Sequence, residues 1–189
     1  MIFMNETAEE LADLQYLLER SAGDRARHLT DIVGPDRRLT AAQLSADLQG
    51  VLVLNVATVT RSGEPRLSAV DGHFLHGRWY FSTATAAVKA RHLAVRPGVS
   101  VAYTPRDGYG VWTHGKATAL SGDEHDRMDR YLSALYGMPL AAMADGIVIF
   151  RVEPEWMIGY AMTATERSSL EPILADRDRR LNQALDELG

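Results

Sequence analysis

The middle of this chain alternates hydrophobic stretches with short glycine turns, and that spacing leaves few ways to fold it. Residues 51–60 are rich in β-branched side chains and lead into Ser62-Gly63; residues 64–75 form a second stretch ended by His76-Gly77; residues 78–82 form a third. Connections this short join antiparallel neighbours, because a parallel pair needs a crossover of a dozen residues or more. The pattern predicts a three-stranded meander.

Beyond it, residues 85–95 read as a helix stopped by Pro97-Gly98, and residues 99–104 as a strand. After the Asp107-Gly108 turn, residues 109–120 read as a long strand with Gly115 as a bulge or bend. Ser121-Gly122-Asp123-Glu124 has capping-box spacing and starts a helix carrying Met128, Tyr131, Leu132 and Leu135 toward Gly137. Residues 146–152 are strongly β, and residues 156–162 continue after Pro154. Two further capping boxes, Thr7 to Glu10 and Thr40 to Gln43, open helices before the strands, the first ending near Gly23 or, after a break, near Gly34-Pro35. From Glu171 to Gly189, Leu174, Leu181, Leu185 and Leu188 recur near helical spacing.

The resulting expectation is a mainly β fold: a six- to seven-stranded antiparallel barrel with peripheral helices. Closure removes the exposed edges that an open antiparallel sheet has to protect. Residues 1–49 form an N-terminal helical extension, 50–162 the barrel and 163–189 a helical tail. A chain of 189 residues suits one such core.

Composition narrows the function classes. There is no cysteine, hence no disulfide, thiolate metal site or cysteine nucleophile. The start lacks a basic region followed by an apolar one, and the longest apolar run, residues 51–59, is about half of what a membrane helix needs. The expectations are a cytoplasmic protein with no membrane span. A net charge of −5 argues against broad contact with nucleic acid.

Against that acidic background, residues 61–106 hold seven Lys or Arg and only two acids, Glu64 and Asp71. Of the 20 basic side chains only Lys89 and Lys116 are lysine. Arg66 and Ser68 share one strand face, Ser82 and Thr83 end another strand, and a helix bearing Lys89, Arg91 and His92 begins soon after. Strand-end hydroxyls, helix amides and helix-borne cations together suit an anion such as a phosphate. Each alone has a plainer reading, the hydroxyls as turn or cap residues and the arginines as solvated charges.

The ordered set is more specific. Leu54-Asn55-Val56-Ala57-Thr58-Val59, Gly63-Glu64-Pro65-Arg66-Leu67-Ser68, Trp79-Tyr80-Phe81-Ser82-Thr83 and Lys89-Ala90-Arg91-His92-Leu93 resemble the motifs of the flavin- and deazaflavin-binding split barrels related to pyridoxamine 5'-phosphate oxidase. The resemblance runs from about Gly50 to Leu120. It implies that Arg66, Ser68, Ser82, Thr83, Lys89 and Arg91 lie on the phosphate side of a cofactor, with the Val70 backbone near its ring. His92 stands where the family more usually has Asn. The resemblance also implies a homodimer with the cofactor between subunits, so that Trp112, Tyr109 and Trp156 face a partner's cofactor.

The implied activity is an oxidoreductase that moves a hydride to or from a small organic substrate, with FMN or coenzyme F420 as cofactor. The ring would supply the chemistry, which fits a chain with no obvious acid–base set. Asp71, His73 and Tyr103 are candidates for passing a proton. A true pyridoxamine 5'-phosphate oxidase and a non-catalytic flavin- or haem-binding protein are the alternatives; Arg151 and Arg167 stand alone where the former would need a basic motif. No metal site is expected, since His73 and His76 on an extended chain do not converge. Asp123, Glu124 and Asp126 suit a helix start, and the methionines suit core filling.

Overall fold

The computed structural model describes residues 6–23 and 33–187. A continuation of the first helix past Gly23 and the last two residues of the tail lie outside the described residues. Helix α1 (Ala8–Gly23) opens on the Thr7 and Glu10 box, in which each backbone N–H donates to the other's side chain. Helix α2 (Ala41–Asp47) opens on the corresponding Thr40 and Gln43 box. Then follow β1 (Leu52–Val59), β2 (Pro65–Leu75), β3 (Arg78–Ala84), α3 (Val88–Val95), β4 (Gly98–Arg106), β5 (Tyr109–Ala119), α4 (Gly122–Tyr136), β6 (Ile147–Ala161) and α5 (Ala164–Asp186). The strands close into a barrel in the order β1-β2-β3-β6-β5-β4, and every neighbouring pair is antiparallel.

The barrel has six strands. What the sequence presents as two segments around Pro154 is one 15-residue strand, β6. Its partner β5 shifts register between His114 and Gly115, and Gly115 is set against Pro154 there. Proline has no N–H to give to the ladder, so a bulge is where it is tolerated. A Cβ at position 115 would overlap the Glu153 carbonyl oxygen, so the bend also requires the glycine.

Two other expectations change. Ser121 makes no side-chain cap on α4, and the Glu124 carboxylate expected to complete the box is held by Arg151 of β6. The tail helix begins at Ala164 rather than Glu171, on a Thr163 and Glu166 capping box; it runs through Pro172 and buries none of its residues. Of the methionines, Met128 and Met157 fill core positions, whereas Met138 and Met143 are exposed.

Alternation places Leu52, Leu54, Val56 and Thr58 of β1 inside the barrel. Phe74, Trp79, Phe81, Val101, Val111, Phe150, Val152 and Met157 complete the interior, and Leu14, Leu17, Leu18, Leu44 and Leu48 from α1 and α2 join the same cluster. In the interior Trp79 Nε1 donates to Thr113 Oγ1 at 3.2 Å. Tyr109, also interior, donates its hydroxyl to Asp47 at 3.2 Å and so ties α2 to β5. Burial, followed by the Asp47 charge, holds the Tyr109 hydroxyl far above the ordinary phenol value.

A second core lies outside the barrel wall. There α4 sets Met128 and Leu132 against Leu75, Tyr80, Leu120, Leu140 and Ile149. His73 is buried in this layer at 1% exposure, edge-on to Tyr131 and Tyr136. Burial is the main reason its imidazole is driven below its ordinary value, against a smaller upward pull from Asp71 and the Gly50 backbone.

Two predictions follow from this packing. A Cβ on Gly72 would sit 2.5 Å from Leu54 Cβ. Gly72→Ala is therefore expected to lower unfolding free energy by about 1–3 kcal/mol in a urea titration, the usual cost of overpacking. For His73, the unfolded chain binds a proton that the folded state resists, so stability is full at neutral pH and falls as pH drops through about 6.5. His73→Gln should flatten the unfolding free energy between about pH 6.5 and pH 5.

Candidate cofactor site at the parting of two strands

Ladder pairing locates the site. Strand β2 pairs with β1 along its length, from Val59 opposite Pro65 to Leu52 opposite Gly72. With β3 it pairs only from Leu75 opposite Arg78 to Gly72 opposite Phe81. Strand β3 continues on β6 as far as Ala84 opposite Ile147. Past Gly72 and Phe81, then, β2 and β3 part, leaving residues 65–71 as one lip and 82–84 as the other.

Directly opposed residues on antiparallel strands face the same side. Arg66, Ser68 and Val70 oppose Thr58, Val56 and Leu54, so they lie on the inner side of the first lip. Thr83 opposes Val148 and shares the face of Phe81, which puts it on the inner side of the second. Ser82 instead opposes Ile149 and shares the outer face of Tyr80, toward the core under α4.

Helix α3 follows the second lip. His92 Nδ1 lies 3.0 Å from Thr58 Oγ1, which fixes the helix against β1. Lys89, three residues before His92, is on the same helical side, whereas Arg91 is about 200° from Lys89 and exposed. The ladders thus put Arg66, Ser68, Val70 and Thr83 on the inner sides of the parting, with His92 on Thr58, opposite Arg66, and Lys89 on the same side of α3 as His92, whereas Ser82 and Arg91 face away. The side chains of Lys89 and Arg91 make no hydrogen bond or ion pair with the described residues. Arg66 pairs with Glu64 at 2.8 Å, with both side chains more than half exposed. Such a pair is worth little and leaves the guanidinium free to exchange partners. The unpaired Lys89 and the exchangeable Arg66, with strand hydroxyls of Ser68 and Thr83, fit the phosphate of a nucleotide-like cofactor.

Other candidates fall elsewhere. Tyr103 lies inside, 6.3 Å from both Trp79 and Tyr109. Asp71 and His73 lie on the outer face with Tyr136, which donates to Asp71 at 3.1 Å. Trp112 is on the outer face opposite Ala102 and Ile158, its ring lying over Gly110. Trp156 is there too, stacked on His114 at 4.7 Å. Among the described residues no group of three or more His, Asp or Glu is placed to hold a metal ion, and no helix is long and apolar enough to cross a membrane.

Sequence reasoning missed Thr58 and Tyr136. Thr58 carries a signal, a hydroxyl on the inward phase of an apolar alternation. Tyr136 carries none, being 65 residues from Asp71.

A search among curated proteins finds no match. Among solved structures, a conserved hypothetical protein, Rv2991, of Mycobacterium tuberculosis superposes with a TM-score of 0.58 at 19% identity over 67% of this chain and 88% of that one. A protein of Mesorhizobium loti described as FAD-binding gives a TM-score of 0.51 at 17% identity over 67% and 98%. At these identities the likeness is one of fold. The profile of the family described as pyridoxamine 5'-phosphate oxidase matches residues 40–160. That span takes in both lips, α3 and nearly all of the barrel, and the chain belongs to the pyridoxamine 5'-phosphate oxidase family.

Proposed function

We propose that this protein is a flavin-type oxidoreductase that holds the phosphate of FMN or of the deazaflavin coenzyme F420 at the parting of β2 and β3. The observation that carries the reading is Lys89, a half-buried lysine with no partner among the described residues, on the side of α3 that meets Thr58, next to strand lips that present Arg66, Ser68 and Thr83 on their inner sides. When bound, the ring would accept or donate a hydride. The protein's part is to hold and orient: Lys89 and Arg66 neutralise the phosphate, Ser68 and Thr83 give it hydroxyl donors, and the Val70 backbone flanks the ring. Coenzyme F420 is favoured to the extent that Lys89-x-Arg91-x-Leu93 resembles that branch; the FAD-binding relative in fold favours an ordinary flavin.

The same reading makes the protein a homodimer. On the outer faces of β1 and β2, Val53 is 65% and Leu67 70% exposed, with Val59, Ala57 and Ala69 around them. Ala102 and Trp112 continue this face across β4 and β5. Exposed apolar side chains on this face, interrupted by Asn55 and bordered by Asp71, suit a surface that a partner covers.

Titration with FMN, FAD, coenzyme F420 and haem, followed by fluorescence or absorbance, tests the reading. Binding of haem alone would replace it with the storage or sequestration alternative. Lys89→Ala is expected to weaken binding of the preferred cofactor by about 1.5–3 kcal/mol, the worth of a charged hydrogen bond. Lys116→Ala should leave it unchanged, because Lys116 pairs with Glu155 at 2.8 Å, away from the lips. Equal losses would misplace the site. Leu67→Arg should lower both the mass seen in sedimentation and cofactor affinity; no change in either removes the sheet face from the interface.

A further inference from the structure

The two lips carry their reactive residues on the inside, but what sets their separation lies outside. Asp71 is the first residue of the free lip, immediately past the last β2–β3 pair at Gly72 and Phe81. Its carboxylate accepts the Tyr136 hydroxyl at 3.1 Å. The same Tyr136 oxygen lies 3.2 Å from Nε2 of His73, a residue still within the paired part of β2. With the Tyr136 proton given to Asp71, His73 donates through Nε2–H, and the chain runs from imidazole to phenol to carboxylate. Tyr136 thus spans the root of the free lip, one partner on each side of the point where the strands separate.

Tyr136 ends α4, and α4 is anchored on the other side of the parting. Leu132 and Leu140 pack with Tyr80 of β3 and Ile149 of β6, and the Leu140 N–H donates to Ser133 Oγ at 3.2 Å. The segment after Tyr136 returns to the second lip, where the Thr85 N–H donates to the Gly146 carbonyl at 3.1 Å. One side of this brace is therefore fastened to β3 and β6 by apolar packing. The other reaches the paired part of β2 at Leu75 and through the Tyr131 ring edge-on to His73, and the free lip through Tyr136, whose hydroxyl is its polar link to Asp71. Burial first, and then the Asp71 hydrogen bond, holds the Tyr136 hydroxyl far above its ordinary value, so the phenol stays protonated and able to donate.

We propose that Tyr136 is a positioning residue: through Asp71 and His73 it pins the free lip of β2 to α4 and sets the spacing of the lips that receive the cofactor. Tyr136 does not touch the ligand. The role of the spacing in binding rests on the cofactor reading above, whereas the spacing itself is measured without a ligand.

The chain has no cysteine, so Ser62→Cys and Ala86→Cys place one spin label on the exposed turn at the end of the first lip and one just past the second. Labelled chains diluted into unlabelled protein report one lip-to-lip distance by pulsed electron resonance. Tyr136→Phe keeps the ring and loses only the hydroxyl; it is expected to broaden that distance distribution and to weaken FMN or F420 binding about three- to tenfold. Asp71→Ala should broaden it as well, whereas Asp71→Asn, which keeps an acceptor oxygen, should restore the narrow distribution. A distribution unchanged in both Tyr136→Phe and Asp71→Ala overturns the proposal, as does one equally broad in Asp71→Asn. Should the unaltered chain bind none of the four cofactors while the distances respond as stated, the pin stands and the cofactor reading falls.

Discussion

The close approach of Leu54 to Gly72 is the contact on which the rest of the molecule turns. It draws β1 across the point at which β2 gives up β3 as a neighbour, so that β2 continues on β1 alone. Strand separation in a closed barrel costs ladder hydrogen bonds, and a fold keeps such a separation only where other contacts hold both strands. Here each freed strand keeps one full partner, β1 for β2 and β6 for β3. The opening between them is therefore bounded by two well-supported walls rather than by loops, which suits a site whose residues must stay in register.

Much of this was legible in the chain itself. Strands announce themselves by period-two alternation between glycine turns, and Thr7, Thr40 and their downstream partners mark helix starts by purely local chemistry. What escaped was set by residues far apart in sequence. Pro154 looks like a strand break until Gly115, on another strand, supplies the bulge that accommodates it. Ser121-Gly122-Asp123-Glu124 looks like a capping box, but its glutamate is held by Arg151 of a distant strand. Strand alternation turns Ser82 outward and helical phase turns Arg91 to the exposed side of α3, while the point at which β2 and β3 stop pairing is not visible in the local pattern. The motifs around Lys89, by contrast, identified the family.

The two cores divide the work of the fold. The inner one closes the barrel and is shared with α1 and α2. The outer one, under α4, holds no ladder of its own, yet it joins strands that have separated at the opening. It also contains the most buried imidazole among the described residues, linked through one phenol to a carboxylate at the surface. A polar chain within an apolar layer fixes direction where greasy packing alone permits sliding.

Thr58 belongs to two structures at once: its methyl side is barrel wall, and its hydroxyl meets His92 on α3. Any change on β1 that altered what the opening accepts would disturb the barrel as well. Helix α3 is under no such obligation, since it is short, has no side-chain N-cap and buries only Ala90 and Leu93. Descendants of such a scaffold can therefore acquire new ligand preferences through α3 and the free lip at small cost to folding. The wall behind them is held to its residues by the need to remain a barrel.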